Sequence, residues 1–106
     1  MKHVDAIWLR HYLEDAKPTP LLLDVREPWE YDICRIDGSQ LLPLGQIPLA
    51  LAELGLDREI VVICHHGVRS VSAGLLLERA GCTRVINLSG GIHAWAQHVD
   101  TRMASY

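Results

Sequence analysis

Cys64 stands between two apolar runs rather than inside either. Before it comes Ile60-Val61-Val62-Ile63. After it come His65, His66, Gly67, Val68 and Arg69, and then, from Ser70, a mostly apolar helical stretch. A cysteine at a strand end, a short polar loop and a helix start together suit anion chemistry. A helix N-terminus carries unpaired N–H groups and the positive end of the macrodipole. Those amides favour an anion, either a thiolate on Cys64 or an oxyanion above it. The thiolate is the nucleophilic form of cysteine, and helix N-termini and nearby cations favour it. Gly67 lets the backbone turn inward at positive φ, and Arg69 supplies a cation able to grip an oxyanion through two bonds. The competing reading is a packed strand-end cysteine, the commoner fate of a free thiol. Strand, glycine, arginine and helix in this order favour the functional reading.

The elements that must position this loop are legible around it. Residues 60–63 are continuous in β-branched side chains, as in a strand buried on both faces. "LLLDV" and "TRVINL" read as further strands, and "SQLLPL" as a short one ended by Pro43. "VDAIWLRHYLEDA" places Ile7, Trp8, Tyr12 and Ala16 at helical spacing behind an Asp5 N-cap. Pro28 opens a brief helix, and Pro48 and Gly55 bound another. "SVSAGLLLERAG" is a helix closed by Gly81, and "SGGIHAWAQHV" turns at its glycine pair into a last one. Strands alternating with helices predict an α/β fold, with a mostly parallel central sheet of about five strands flanked by helices on both faces. Ligands of such sheets bind outside the carboxyl ends of the strands, where Cys64 falls.

Composition narrows the classes. With 106 residues, one domain spanning 1–106 is expected, with its core over about 4–99 and a tail, 100–106, free to fray. A net charge of −3 argues against nucleic acid and against an acidic membrane surface as partners. No run reaches about 18 apolar residues, and the polar N-terminus does not read as a secretory signal, so a cytoplasmic location is expected. The three cysteines, Cys34, Cys64 and Cys82, lack the spacing of a disulfide framework or a zinc site. His3, His11, His93 and His98 show no metal spacing either, so no metal and no organic cofactor is expected.

"LLLDVREPWEY", "CRIDGSQLLPLG", "VVICHHGVRS" and "GCTRVINLSGGIHAWAQ" in combination resemble the rhodanese-like domains. The resemblance implies a cysteine, Cys64, that cycles between thiolate and persulfide. It would take a sulfane sulfur from a donor such as thiosulfate or a persulfide. Acceptors would be cyanide, a thiol or a sulfur-relay protein. It also implies a substrate cradle made of His65, His66, Gly67, Val68, Arg69 and Ser70. Phosphatases and arsenate reductases that resemble rhodaneses carry C-x5-R, whereas Cys64 to Arg69 is C-x4-R. The shorter loop suits a terminal sulfur better than a tetrahedral oxyanion. A non-catalytic, protein-binding rhodanese-like module is the alternative, though such modules often lose the cysteine that this chain keeps.

For His65 and His66, two readings stand: rings that contact an anionic donor, or exposed side chains on a loop whose amides matter more. Arg26 and Glu30, at i, i+4, are expected to form a structural ion pair worth about 0.3–0.5 kcal/mol if exposed; Asp24 is expected to be positioned by its hydrogen bonds if it lies near the loop, and is not read as catalytic. Trp29 and Trp95 read as packing residues. Cys34 stands where the family usually has glycine followed by histidine. It reads as a tolerated small residue, with a resolving-thiol role as the alternative. Cys82 reads as core.

Overall fold

The computed structural model describes residues 1–106. Five strands, β1 (Lys2–Val4), β2 (Leu21–Asp24), β3 (Gln40–Leu41), β4 (Ile60–Ile63) and β5 (Val85–Leu88), form one sheet in the order β1-β5-β4-β2-β3. Every neighbouring pair is parallel. The helices are α1 (Ala6–Asp15), α2 (Pro28–Ile33), α3 (Ile47–Leu54), α4 (Arg69–Arg79) and α5 (Gly91–His98), with a single 3₁₀ turn at Leu44–Gln46 before α3.

The alternation of side chains along a strand sorts the core into two layers. Leu21, Leu23, Ile60, Val62, Cys64 and Val85 point to one face, where they meet Ile47 and Leu54 of α3 and Ala73 and Leu77 of α4. Leu22, Val61, Ile63, Ile86 and Leu88 point to the other, against Ala6 and Leu9 of α1 and Ile92 and Trp95 of α5. All four residues of β4 are fully buried. At about 1.5–3 kcal/mol for each fully buried aliphatic side chain, this strand is the best-anchored platform the fold can offer a reactive residue. Cys82 lies in the α3/α4 layer as expected, and burial pushes its thiol pKa up.

Several details depart from the sequence reading. β1 was not anticipated: it is three residues long, begins with two polar side chains, and is held by pairing Lys2, His3 and Val4 with Ile86, Asn87 and Leu88. Asp5 caps α1 as expected by accepting the Trp8 N–H at 2.8 Å, but the helix buries Ala6 and Leu9, while Ile7 is exposed and Trp8 and Tyr12 stack on a half-buried flank. Trp29 is exposed rather than packed, whereas Trp95 is buried. The segment after α5 folds back: Met103 and Tyr106 pack against the α1/α5 layer. No helix is long and apolar enough to cross a membrane.

Candidate active site

The carboxyl end of β4 delivers Cys64 between β2 and β5, and α4 starts five residues later, at Arg69 rather than at Ser70. Cys64 is 1 % exposed. Its Sγ accepts the Gly67 N–H at 3.0 Å and its thiol faces Ser70 Oγ at 3.4 Å. The Ser70 hydroxyl donates in turn to Asn87 Oδ1, and the Asn87 amide nitrogen meets His3 Nδ1 at 3.1 Å. This buried polar chain fixes the hydroxyl beside the sulfur. The N–H groups of His65, His66, Val68, Arg69 and Ser70 bond no acceptor within the protein. One amide is therefore on the sulfur itself, and five more in the same loop have no acceptor within the protein.

Two glycines make this loop possible. Gly67 has φ +97°, and a Cβ there would lie 3.0 Å from the Gly90 nitrogen. Gly91, at φ +59°, passes so close to the loop that a Cβ would stand 2.4 Å from the Cys64 carbonyl oxygen. That approach lets the first turn of α5 grip the loop: the Ile92 N–H donates to the Cys64 carbonyl at 2.8 Å and the His93 N–H to the His65 carbonyl at 3.0 Å. The glycine pair, read from sequence only as a turn, is the clamp on the cysteine loop.

A charged network braces the other side. The expected Arg26–Glu30 side-chain pair does not form. Arg26 instead binds Asp24 with contacts of 2.7–3.1 Å, both side chains fully buried, and also donates to the Cys34 carbonyl at 2.6 Å and the Tyr106 hydroxyl at 2.9 Å. Burial opposes its charge, but the hydrogen bonds with Asp24 and Tyr106 outweigh that, so its pKa is raised. Glu30 turns to Arg69, accepting from both terminal nitrogens at 2.6 and 2.7 Å, and also accepts the Tyr106 hydroxyl at 2.8 Å. The Arg69 bonds, against the opposing effect of burial, hold the Glu30 pKa down at about 2. The guanidinium expected to grip an oxyanion thus spends both terminal nitrogens on Glu30.

His65 and His66 stack with ring centroids 4.0 Å apart, and the Tyr106 ring covers His65, also at 4.0 Å. Burial, reinforced by the neighbouring His66, lowers the His65 pKa. The Val68 side chain points outward and is 76 % exposed, so its part in the loop is played by the backbone. Cys34 is buried in the α1/α5 layer while Cys64 lies in the α3/α4 layer across the sheet, which does not favour a resolving-thiol role, and all three cysteines are free. The largest cleft, about 430 Å³, lies between α1, α5 and the residues after it and does not reach the loop.

Glu30, Asn87, Gly91 and Tyr106 were not singled out as site residues from sequence. Asn87 is a polar position in an otherwise apolar strand, a readable signal, whereas Glu30 stands among other charged residues and carries none. Nothing in the sequence marks Tyr106.

A parallel five-stranded sheet presenting a cysteine in a cradle of main-chain amides defines a class of small α/β domains built for sulfur or oxyanion chemistry. The family model described as "Rhodanese-like domain" matches residues 5–98, and the chain belongs to that family. It is 38% identical over 98 residues to a sulfurtransferase of Allochromatium vinosum, covering 92% of this chain and 91% of that protein. It is 41% identical over 100 residues to the probable adenylyltransferase/sulfurtransferase MoeZ of Mycobacterium tuberculosis, where the match covers 92% of this chain but only 25% of the relative. A crystal structure of a rhodanese-like domain protein from Staphylococcus aureus superposes with a TM-score of 0.83 at 32% identity, covering 90% of this chain and 91% of that one.

Proposed function

We propose that this chain is a sulfurtransferase in which Cys64 carries a sulfane sulfur as a persulfide. The Cys64 thiolate attacks the outer sulfur of thiosulfate; the new S–S bond forms as the old one breaks, and sulfite leaves with the bonding pair. An acceptor (a thiol, cyanide or a sulfur-relay protein) then attacks the outer sulfur of the persulfide, and the Cys64 thiolate is released. A persulfide donor follows the same path with a thiolate as leaving group. No net redox change or external base is required once the cysteine is ionised.

The observation that carries this reading is the loop itself: one N–H on the sulfur and five more without an acceptor in a C-x4-R segment. Fixed amides of this kind stabilise negative charge without reorganising during the reaction. His65, His66, Gly67, Val68, Arg69 and Ser70 contribute chiefly through backbone N–H groups in this account. The Ser70 hydroxyl lies beside the sulfur, facing the Cys64 thiol as acceptor while it donates to Asn87 Oδ1. Arg69 acts as a brace tied to Glu30. The likeness to a sulfurtransferase over nearly its whole length supports the chemistry. The MoeZ match, a fraction of a larger protein, leaves room for the same unit to hand sulfur to a protein acceptor.

Incubation with thiosulfate followed by intact-mass measurement tests the proposal. A gain of one sulfur atom, reversed by cyanide and absent in Cys64→Ser, is expected. Release of phosphate from an aryl phosphate without any sulfur gain would place the chain among the phosphatase-like relatives instead.

A further inference from the structure

The sequence offers no metal-binding spacing, yet the fold brings His93, on α5, against His65 and His66 in the cysteine loop. One ring nitrogen from each of the three lies within 4.8 Å of one from each of the others. Their ring centroids are 4.0 Å (His65–His66), 5.0 Å (His66–His93) and 6.1 Å (His65–His93) apart. From this convergence we propose that His65, His66 and His93 form a three-imidazole site for one borderline divalent ion, with Zn²⁺ as the reference ligand.

Three neutral imidazoles with a fourth position left to solvent or a small ligand form a standard coordination set for Zn²⁺. A Zn–N bond of about 2.0–2.1 Å sets neighbouring nitrogens of a tetrahedron about 3.3–3.4 Å apart. The nitrogens must close by up to about 1.4 Å, and the stacked His65 and His66 rings must also swing apart so that their in-plane lone pairs converge on one point. The backbone need not move, because the loop and α5 are already locked together by the Ile92 and His93 N–H bonds and by the Gly91 contact. Only side-chain torsions remain to adjust, and the rings of His66 and His93 are exposed enough to turn. The nearby charges are Arg69 and Glu30, which neutralise each other, so the cation meets no net repulsion from them. His98 on the same helix and His11 on α1 lie outside the cluster. The site stands independently of the sulfur-transfer reading; given that reading, an ion held by two residues of the cysteine loop would slow sulfur loading.

The test uses the full chain with Co²⁺ as a spectroscopic probe and Zn²⁺ in competition. One ion per chain, intense visible d–d bands of tetrahedral type and no thiolate-to-cobalt charge-transfer band are expected. Binding should survive in Cys64→Ser and in His98→Ala. It should weaken in His93→Ala and in His66→Ala by at least about 10–100-fold, the loss that follows removal of an outer hydrogen-bond partner alone. Circular dichroism of each variant confirms folding, since both positions are exposed. Affinity unchanged in a folded His93→Ala or His66→Ala, binding lost in Cys64→Ser, or no binding by the wild-type chain overturns the proposal. Sulfur loading with thiosulfate in the absence of metal is read separately, so failure of the metal site and failure of the transfer reaction give different results.

Discussion

Replacing Glu30 with glutamine keeps the shape of the side chain but removes one negative charge and turns one acceptor oxygen into an N–H donor. The Glu30 carboxylate accepts the Glu27 N–H at 2.9 Å in a capping box at the start of α2, and a glutamine oxygen can do the same. What glutamine cannot supply is the charge and the second acceptor oxygen, Oε2, which takes the second Arg69 nitrogen and the Tyr106 hydroxyl. The Glu30 pKa falls from 4.5 to about 2 on folding, which at 1.36 kcal/mol per pH unit corresponds to about 3 kcal/mol. Glu30 is almost fully buried, whereas the Arg69 side chain is 36 % exposed, so water recovers part of the arginine's loss. The cost therefore falls at or below the low end of the roughly 3–5 kcal/mol range for breaking a buried pair. The pH dependence has a definite sign. Because the folded pKa is depressed, the contribution is complete above 4.5 and is lost as pH falls towards 2. Urea unfolding followed by tryptophan fluorescence should show Glu30→Gln less stable than wild type by about 2–3 kcal/mol near neutrality, with the gap shrinking steadily below pH 4.5. A variant as stable as wild type at neutral pH, or a gap that persists undiminished into strong acid, would refute the reasoning.

Three further outcomes follow from the same geometry. Gly91→Ala puts a Cβ against the Cys64 carbonyl at positive φ; it should cost at least about 1–2 kcal/mol of stability by urea denaturation and depress sulfur loading of the folded fraction. Ser70→Ala removes the acceptor of the Cys64 thiol and the donor to the buried Asn87 Oδ1; a buried polar group left without its partner costs about 1–3 kcal/mol, so urea unfolding should show a loss of that size, with sulfur loading of the folded fraction close to wild type. Arg69→Ala should lower turnover with thiosulfate and with a neutral polysulfide to a similar degree, because Arg69 braces Glu30; a selective loss with thiosulfate would show that the guanidinium leaves Glu30 to read the anion.

The layers of the fold were legible because burial writes itself into residue type. The β-branched run of β4, the Asp5 cap and the Pro48 and Gly55 boundaries each follow from local physics. β1 was illegible because its stability comes from pairing with β5 rather than from its own three residues. The site divides in the same way. Cys64, Gly67 and the helix start form a contiguous segment, so their order could be read as chemistry. The partners of Arg26 and Arg69 could not: an i, i+4 rule presumes a regular helix carrying both residues, but Arg26 precedes α2 and its side chain turns back to Asp24. Glu30 and Arg69 lie 39 positions apart, and only the placement of α2 beside the loop joins them. The histidine cluster is equally a product of the Gly91 contact, which carries His93 to residues 65 and 66.

Cys34 and Cys82, both free thiols, are two internal controls for the carrier role proposed for the Cys64 sulfur. After thiosulfate loading and alkylation, peptide mass mapping should place the extra sulfur on the peptide containing Cys64 and leave the other two cysteines unmodified by sulfur. Label on Cys34 or Cys82, or loading that persists when Cys64 is serine, would contradict it.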